Sequence, residues 1–322
     1  MYRLYRSVQS RQNRGEPETV ILNYHRIGGR QFDAHVRVLL RHYRIVPLHE
    51  LVERSARREP FPVPTAILTF DDGNRCCYTD VLPVLTRYHV PASIFLTTGY
   101  VGTPRLLWFD AVEHGMMHTT RVTLSCAGTV YPLRTVGERR RAAQMIVEHL
   151  KQAEEAVRLR EVDDLLAFLG VSPDGPTAGP YRCLSWEQVR EMAAAGVEFG
   201  GHTVTHPILT RVPVGQADRE IGESKAAIQT HVGTPVRHFA YPNGRVGDFN
   251  DEIIGLVKRH GYACALSTIP GRWAPEDDLF ALRRVIVTEN TGASALMVKL
   301  SGLWDQMRHL LASGKLSQKN RE

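Results

Sequence analysis

Seven short apolar runs, rich in β-branched residues, recur along the chain at 19–24, 66–70, 92–97, 197–201, 236–241, 263–267 and 282–287. Apolar residues return at helical spacing in several of the intervening stretches, over 32–43, 186–195 and 249–260, and a further apolar patch lies at 81–85. Strands that alternate with helices predict βα units and a parallel sheet. Seven such units in one chain predict a closed or nearly closed barrel, although the periodicity is also compatible with an open doubly wound sheet.

One stretch breaks this rhythm. About a hundred residues separate the third run from the fourth. Within it, Val122–Leu124 and Val130–Tyr131 flank Ala127 and Gly128 and predict a hairpin, and 138–169 reads as one or two charged amphipathic helices. The Pro- and Gly-rich segment 172–180 reads as an exposed loop. The expectation is an insertion, at about 103–180, over the barrel mouth, either shaping a substrate cleft or serving as decoration. The predicted layout is a flexible basic arm at 1–18, a barrel at 19–290 and a C-terminal helix with a disordered tail at 291–322.

Composition sets bounds on this picture. The 322 residues, 43% apolar and 23% charged, describe an ordinary globular chain with material for a full core. The net charge of +6 is unevenly placed, with Arg3, Arg6, Arg11 and Arg14 in the first sixteen residues against Glu16. Such an arm is either a solvated, frayed end or a contact for an anionic surface. No stripe of basic and aromatic residues recurs, so nucleic acid is not an expected partner. No apolar run is long enough to span a bilayer, and no apolar segment follows the N-terminal arginines as a secretory signal would require. Five cysteines without C-x-x-C spacing read as a reduced, cytosolic set of buried thiols, with a nucleophilic role for Cys76 or Cys77 as the lesser alternative. The expected location is cytoplasmic, at the inner membrane face, where the arm could contact the membrane or a glycan-synthesis complex.

The chemically loaded side chains fall at the C-terminal ends of the predicted strands: His25, then Asp71 and Asp72, Thr97 and Thr98, His202 and His206, and Tyr241-Pro242-Asn243-Gly244. In a parallel barrel those ends share one rim, where active sites lie. Adjacent carboxylates repel and raise one another's pKa unless a cation or a proton-transfer role offsets the cost. Pro207 after His206 and Gly200-Gly201 before His202 place the histidine pair on a strand end and loop rather than in a helix. Two imidazoles with Asp72 as third ligand suit zinc and leave a position for water, and Asp71 beside them could act as general base. Alone, an Asp-Asp-Gly is a turn, and a spaced histidine pair such as His114 and His118 carries nothing. The joint occurrence at strand ends predicts a site.

Thr69-Phe70-Asp71-Asp72-Gly73 together with His202-Thr203-x-x-His206 resembles the polysaccharide deacetylase (NodB-homology) family of carbohydrate esterases. Leu22-Asn23-Tyr24-His25, Pro91-Ala92-Ser93-Ile94-Phe95 and Phe239-Ala240-Tyr241-Pro242-Asn243-Gly244 agree, and the first and last of these look like the subgroup acting on exopolysaccharides. The resemblance implies an α/β fold, a distorted (β/α)7 barrel with an insertion between the third and fourth strands. It also implies removal of acetyl groups from N-acetylated sugars of an oligo- or polysaccharide. Asp71 would correspond to the catalytic base, and Asp72, His202 and His206 to the ligands of a divalent metal, Zn2+ or alternatively Co2+ or Mn2+. The segment Tyr241, Pro242 and Asn243 would supply a backbone N–H to the oxyanion.

Two departures qualify the match. The arginine that precedes Pro-Tyr-Gly in many members and orients the base is replaced by Ala240, and Asn243 stands where the tyrosine would be. The late Leu-x-x-His that protonates the leaving amine is absent from Leu282-Arg283-Arg284-Val285. His25 is then the candidate acid by rim position, with a structural histidine as the alternative. Arg283 or Arg284 is a candidate partner for Asp71 or else a rim salt-bridge partner. These gaps keep two other readings open: a non-catalytic carbohydrate-binding relative, and an O-acetyl esterase or small-molecule amidase using the same metal site.

Overall fold

The strands are β1 (Thr19–Tyr24), β2 (Arg44–Ile45), β3 (Thr65–Phe70), β4 (Ser93–Leu96), β5 (Thr123–Cys126), β6 (Thr129–Pro132), β7 (Glu198–Gly201), β8 (His238–Ala240), β9 (Cys264–Pro270) and β10 (Leu282–Ile286). They are seen in a computed structural model that describes residues 17–126 and 128–301. Every residue of β1 and β3 is buried, as a parallel strand covered on both faces requires. The two pair in register over all six positions, from Thr19 opposite Thr65 to Tyr24 opposite Phe70. The ring continues from β1 to β10, β9, β8, β7, β4 and back to β3, all parallel. Seven strands therefore close a barrel, which excludes the open doubly wound sheet. The short β2 flanks the start of β3, and neither it nor the helix after it was expected from the apolar pattern.

The helices are α1 (Gly29–His42), α2 (Leu48–Arg57), α3 (Leu82–Tyr88), α4 (Trp108–His118), α5 (Val136–Leu150), α6 (Glu155–Leu169), α7 (Trp186–Ala194), α8 (Val214–Val232), α9 (Asp251–Arg259) and α10 (Ala293–Leu300). The period-2 alternation of the strands divides the core. Val20, Leu22 and Tyr24 of β1 and Ala66, Leu68 and Phe70 of β3 face outward into one cluster with Phe32, Val36 and Leu39 of α1. Ile21, Ile67, Phe95, Leu266 and Leu282 point into the lumen, where Leu51, Phe61 and Trp273 fill the lower end. The lumen is apolar at the base. Toward the C-terminal ends of the strands the same inward register carries Asn23, Thr69, Asp71 and Arg284 instead.

The insertion is a folded unit. The β5–β6 hairpin is antiparallel, with Thr123 opposite Pro132. Helices α4, α5 and α6 enclose a second apolar cluster that includes Trp108, Val112, Met116, Ile146, Leu150 and Leu166. A capping box fixes the start of α5, with Thr135 accepting from the Glu138 N–H and Glu138 accepting from the Thr135 N–H. The fifth predicted strand, 236–241, is seen as the three residues of β8; beyond it Tyr241 still donates its N–H to Leu266 O, and Pro242 has no N–H with which to continue. The C-terminal helix is α10, whose Leu296 and Leu300 join the outer cluster with α1. The basic arm falls, apart from residues 17 and 18, outside the described residues, and so does the tail beyond 301. No helix among the described residues is long and apolar enough to cross a membrane.

Candidate metal and proton-transfer site

The rim gathers the groups that the chain separates. Asp71 follows β3, with its backbone N–H donating to Tyr24 O at 2.9 Å. Its carboxylate is held on both oxygens by Arg284, whose Nη1 donates to Oδ1 at 2.8 Å and whose Nη2 donates to Oδ2 at 2.7 Å. Asn23 Nδ2 donates to Oδ2 at 2.9 Å. Arg284 is fully buried and donates Nε to Ser267 O at 2.7 Å, so its fork is fixed from behind. A register shift in the β9–β10 ladder falls between Leu282 and Arg284, the kind of irregularity that re-aims a side chain. Burial pushes the Asp71 carboxyl up, but the Arg284 charge overcomes it and the net pKa lies well below the usual carboxylate range. Arg284 is thus the cation beside Asp71 that the motif lacked at Ala240. Arg283 pairs instead with Asp277, at 3.0 Å.

Asp72 turns the other way. Its Oδ1 lies 3.5 Å from His202 Nε2 and 3.6 Å from His206 Nε2, and it is buried without a hydrogen-bond partner. His202 Nδ1 lies 2.7 Å from Ala240 O, so Nδ1 carries the hydrogen and Nε2 presents its lone pair to Asp72. A tetrahedral ion bound at roughly 2.1 Å by nitrogen and oxygen keeps its ligand atoms about 3.4 Å apart. The orphaned oxygen and the spacing of the two imidazoles therefore fit a metal ion, and no other such group occurs among the described residues. Burial alone pushes His206 down, the neighbouring His202 adds to this, and its pKa falls to about 3. His202 is also depressed by burial, but Asp72 and Asp71 more than reverse this and hold it above its ordinary value. The field of the two carboxylates thus favours a positive charge between these rings.

The local backbone is unusual. Six described non-glycine residues have positive φ; Arg58 and His89 are helix C-caps, and the other four are Asp72, Thr203, His206 and Asn243. Left-handed backbone at non-glycine residues is held only where the surroundings enforce it. The enforcement is visible. Thr203 Oγ1 accepts from the His206 N–H at 3.0 Å, and buried Glu220 accepts the N–H groups of Val204 at 2.7 Å and Thr205 at 2.8 Å. Gly200 allows the strand to pass close to β8, since a Cβ there would lie 2.7 Å from His238 O.

The Tyr241–Gly244 segment forms the neighbouring wall. Tyr241 N–H donates to Leu266 O at 3.0 Å and Gly244 N–H donates to Pro242 O at 2.6 Å. Pro242 has no N–H, which leaves that of Asn243 as the uncommitted backbone donor of the segment. Asn243 is held in the left-handed region by its own contacts: its side-chain amide donates to Asp248, and its carbonyl accepts from Thr268 Oγ1 at 2.6 Å. His25 is exposed just after β1, within electrostatic reach of Asp71, Asp72 and His206. The insertion reaches the same place. Phe109 packs edge-on against the His206 ring with centroids 5.1 Å apart, and buried Asp110 pairs with Arg26 at 3.0 Å. His114 and His118 pack on each other and on Tyr181, inside the insertion and outside the metal group. Cys77 and Cys183 are buried and Cys76 half-buried, and the local environment holds Cys77 and Cys183 far above the ordinary thiol pKa. These two thiols are poor nucleophiles.

Glu220, Phe109, Asp110 and the choice of Arg284 over Arg283 were not readable from the motifs. Glu220 lies at helical spacing inside α8 with no local sign of its loop-holding role.

Comparison with known proteins places this geometry. The family model described as polysaccharide deacetylase matches residues 58–265. YxkH of Bacillus subtilis, described provisionally as a polysaccharide deacetylase, is 29% identical over 121 residues, covering 38% of this chain and 42% of that one. The poly-beta-1,6-N-acetyl-D-glucosamine N-deacetylase of Staphylococcus epidermidis is 30% identical over 84 residues, or 26% of this chain and 28% of that one. The chain thus spans less than half the length of these curated relatives. Two solved structures share the fold: the Streptococcus pyogenes deacetylase PplD in complex with acetate, with a TM-score of 0.58 at 18% identity over 88% of this chain and 98% of that one; and IcaB from Ammonifex degensii, with a TM-score of 0.58 at 19% identity over 88% and 97%.

Proposed function

The chain belongs to the polysaccharide deacetylase family, and on that premise we propose that it hydrolyses N-acetyl groups on an oligo- or polysaccharide with the help of a divalent metal ion. The observation that carries this reading is one buried arrangement: an orphaned Asp72 oxygen facing two histidine nitrogens, with a second, arginine-held carboxylate beside it. Asp72, His202 and His206 would hold the ion, with zinc the first expectation and cobalt or manganese the alternatives. Bound there, such an ion supplies Lewis-acid polarisation of the acetyl carbonyl and a lowered pKa for water.

The chain's own residues supply the rest. Asp71 takes the proton of the attacking water, positioned by Arg284 and Asn23 rather than free to rotate onto Asp72. The Arg284 charge keeps it ionised at neutral pH, the form that can accept a proton. The Asn243 N–H, fixed by the neighbouring Tyr241 and Pro242 backbone, serves the developing oxyanion. His25 gives a ring proton to the amine nitrogen as the C–N bond breaks, releasing acetate.

The relatives support the substrate class: the Staphylococcus epidermidis protein is a poly-beta-1,6-N-acetyl-D-glucosamine N-deacetylase by name. The Arg284–Asp71 pair favours a catalytic reading over a binding-only one, since it supplies the orienting cation whose absence argued for inactivity. The test is acetate release from β-1,6-linked N-acetylglucosamine oligomers, with and without a chelator and with Asp71→Asn. Full turnover by the metal-free protein or by Asp71→Asn would refute the mechanism. Faster release from O-acetylated than N-acetylated sugars would reassign the enzyme as an O-acetyl esterase.

A further inference from the structure

The insertion meets the rim at Arg26, the residue after His25. Arg26 Nη1 lies 3.0 Å from Asp110 Oδ1, and Nη2 pairs with Glu113 Oε2 one helical turn further along α4. The guanidinium also lies over the Tyr181 ring, 4.8 Å from its centroid. Tyr181 closes the 3-10 turn Pro176–Tyr181 at the far end of the insertion. Arg26 is therefore clamped by the first and last segments of the insertion together. Asp110 is 2% exposed, and salt screens a buried pair less than an exposed one.

On the other side, Tyr24 belongs to β1, and its carbonyl accepts the Asp71 N–H at 2.9 Å. His25 thus sits between two fixed neighbours while its own ring is exposed at the mouth of the site. No regular secondary structure holds residues 25–28. On the C-terminal side of His25 the backbone is held by the Arg26 anchor and, one residue on, by Ile27, which is buried in the outer apolar cluster.

We propose that Arg26, held by Asp110, Glu113 and Tyr181, is a positioning residue that sets His25 for proton delivery, so that the insertion takes part in the chemistry through this clamp. The inference rests on the hydrolase reading above. In the step concerned, the electron pair of the C–N bond leaves with nitrogen, nitrogen takes the His25 ring proton, and the water proton resides on Asp71. Losing the Arg26 side of the clamp is expected to misplace the acid, while Asp71 stays held by Arg284 and Asn23.

That separation defines the experiment. An N-acetylated oligosaccharide needs a protonated leaving group, whereas p-nitrophenyl acetate releases a stable phenolate without one. Both substrates are assayed with the wild-type full chain, Arg26→Gln, the double variant Asp110→Asn/Glu113→Gln, His25→Ala, and His25→Ala combined with Arg26→Gln. Arg26→Gln and the double variant are expected to lower kcat on the amide by about 10- to 100-fold, the range for a displaced catalytic group. KM and ester turnover should stay within about two-fold. In the His25→Ala background, Arg26→Gln should cost nothing further on the amide. Equal loss on both substrates, or further loss without His25, overturns the proposal. Arg26→Lys keeps a cation for Asp110 and should recover part of the amide rate, which guards against a variant that fails to fold. A wild-type protein that turns over neither substrate refutes the hydrolase reading itself, an outcome distinct from either result on Arg26.

Discussion

Removing the Arg284 guanidinium tests the most consequential contact in the barrel. Arg284→Met keeps much of the stem but deletes both charge-assisted bonds to Asp71, at 2.8 and 2.7 Å, and the bond to Ser267 O. The partners are 0% and 2% exposed in their side chains, so no water replaces the lost donors. Breaking a buried pair on one side costs about 3–5 kcal/mol. The carboxylate that remains is buried beside Asp72, and burial, now unopposed by the arginine, drives its pKa up. The sign follows from linkage. Asp71 is depressed in the folded wild type, so its stabilising contribution is present above the unfolded carboxyl pKa and is lost as pH falls through the lower folded value. The variant should therefore unfold more easily at neutral pH, and the gap to wild type should narrow as the solution is acidified.

Urea unfolding of the chelator-treated protein at several pH values measures this without metal linkage, and acetate release by the zinc-loaded protein measures the catalytic arm. We expect a loss of at least about 100-fold in kcat, since a misplaced base forfeits orientation. Asp71→Asn/Arg284→Met should regain most of the stability, giving a coupling of about 3 kcal/mol, at the upper end for contacting residues. A cost below about 1 kcal/mol for Arg284→Met, or additivity in the double variant, would refute the assignment of Arg284 as the partner that keeps Asp71 ionised.

Three further outcomes are expected. Asp72→Asn, His202→Ala and His206→Ala should each abolish stoichiometric zinc uptake in a dialysed metal analysis, while zinc at 100 times its Kd should stabilise the wild type by about 2.7 kcal/mol in thermal melts. Glu220→Leu leaves the part-buried Val204 and Thr205 N–H groups without their acceptor, so it should cost about 1–3 kcal/mol and weaken zinc binding although Glu220 is not among the proposed ligands. Glu148 is lowered to about 2 by its Arg245 hydrogen bond, with Lys151 assisting against burial, yet it is about half-exposed. Glu148→Gln should therefore cost no more than about 1 kcal/mol above pH ~4.5 and nothing near pH 2, and the cost should shrink in high salt.

The barrel was legible because each strand is a buried run bounded by polar residues, and the Asp72, His202 and His206 cluster because its members sit at strand ends. Arg284 was ambiguous because two adjacent arginines alternate faces on one strand, and only ring closure shows which one points inward. A register shift in the β9–β10 ladder at that point adds an irregularity that no periodicity reports. Helix α4 was missed because Trp108–His118 is buried on most sides and shows no clear polar face. Its Phe109 and Asp110 meet the rim only through tertiary contacts.

The closure of the ring between β1 and β3 and between β1 and β10 has a consequence for biosynthesis. Asp71 is made early and its guanidinium partner 213 residues later. Until β10 is docked between β9 and β1, both those strands present open edges and Asp71 lacks its buried cation. Assembly of the proton-transfer site is thus tied to completion of the barrel by its last strand. A chain truncated before Leu282 would carry Asp72, His202 and His206 and yet lack the arginine that orients Asp71, and it would be prone to pair through its unsealed edges.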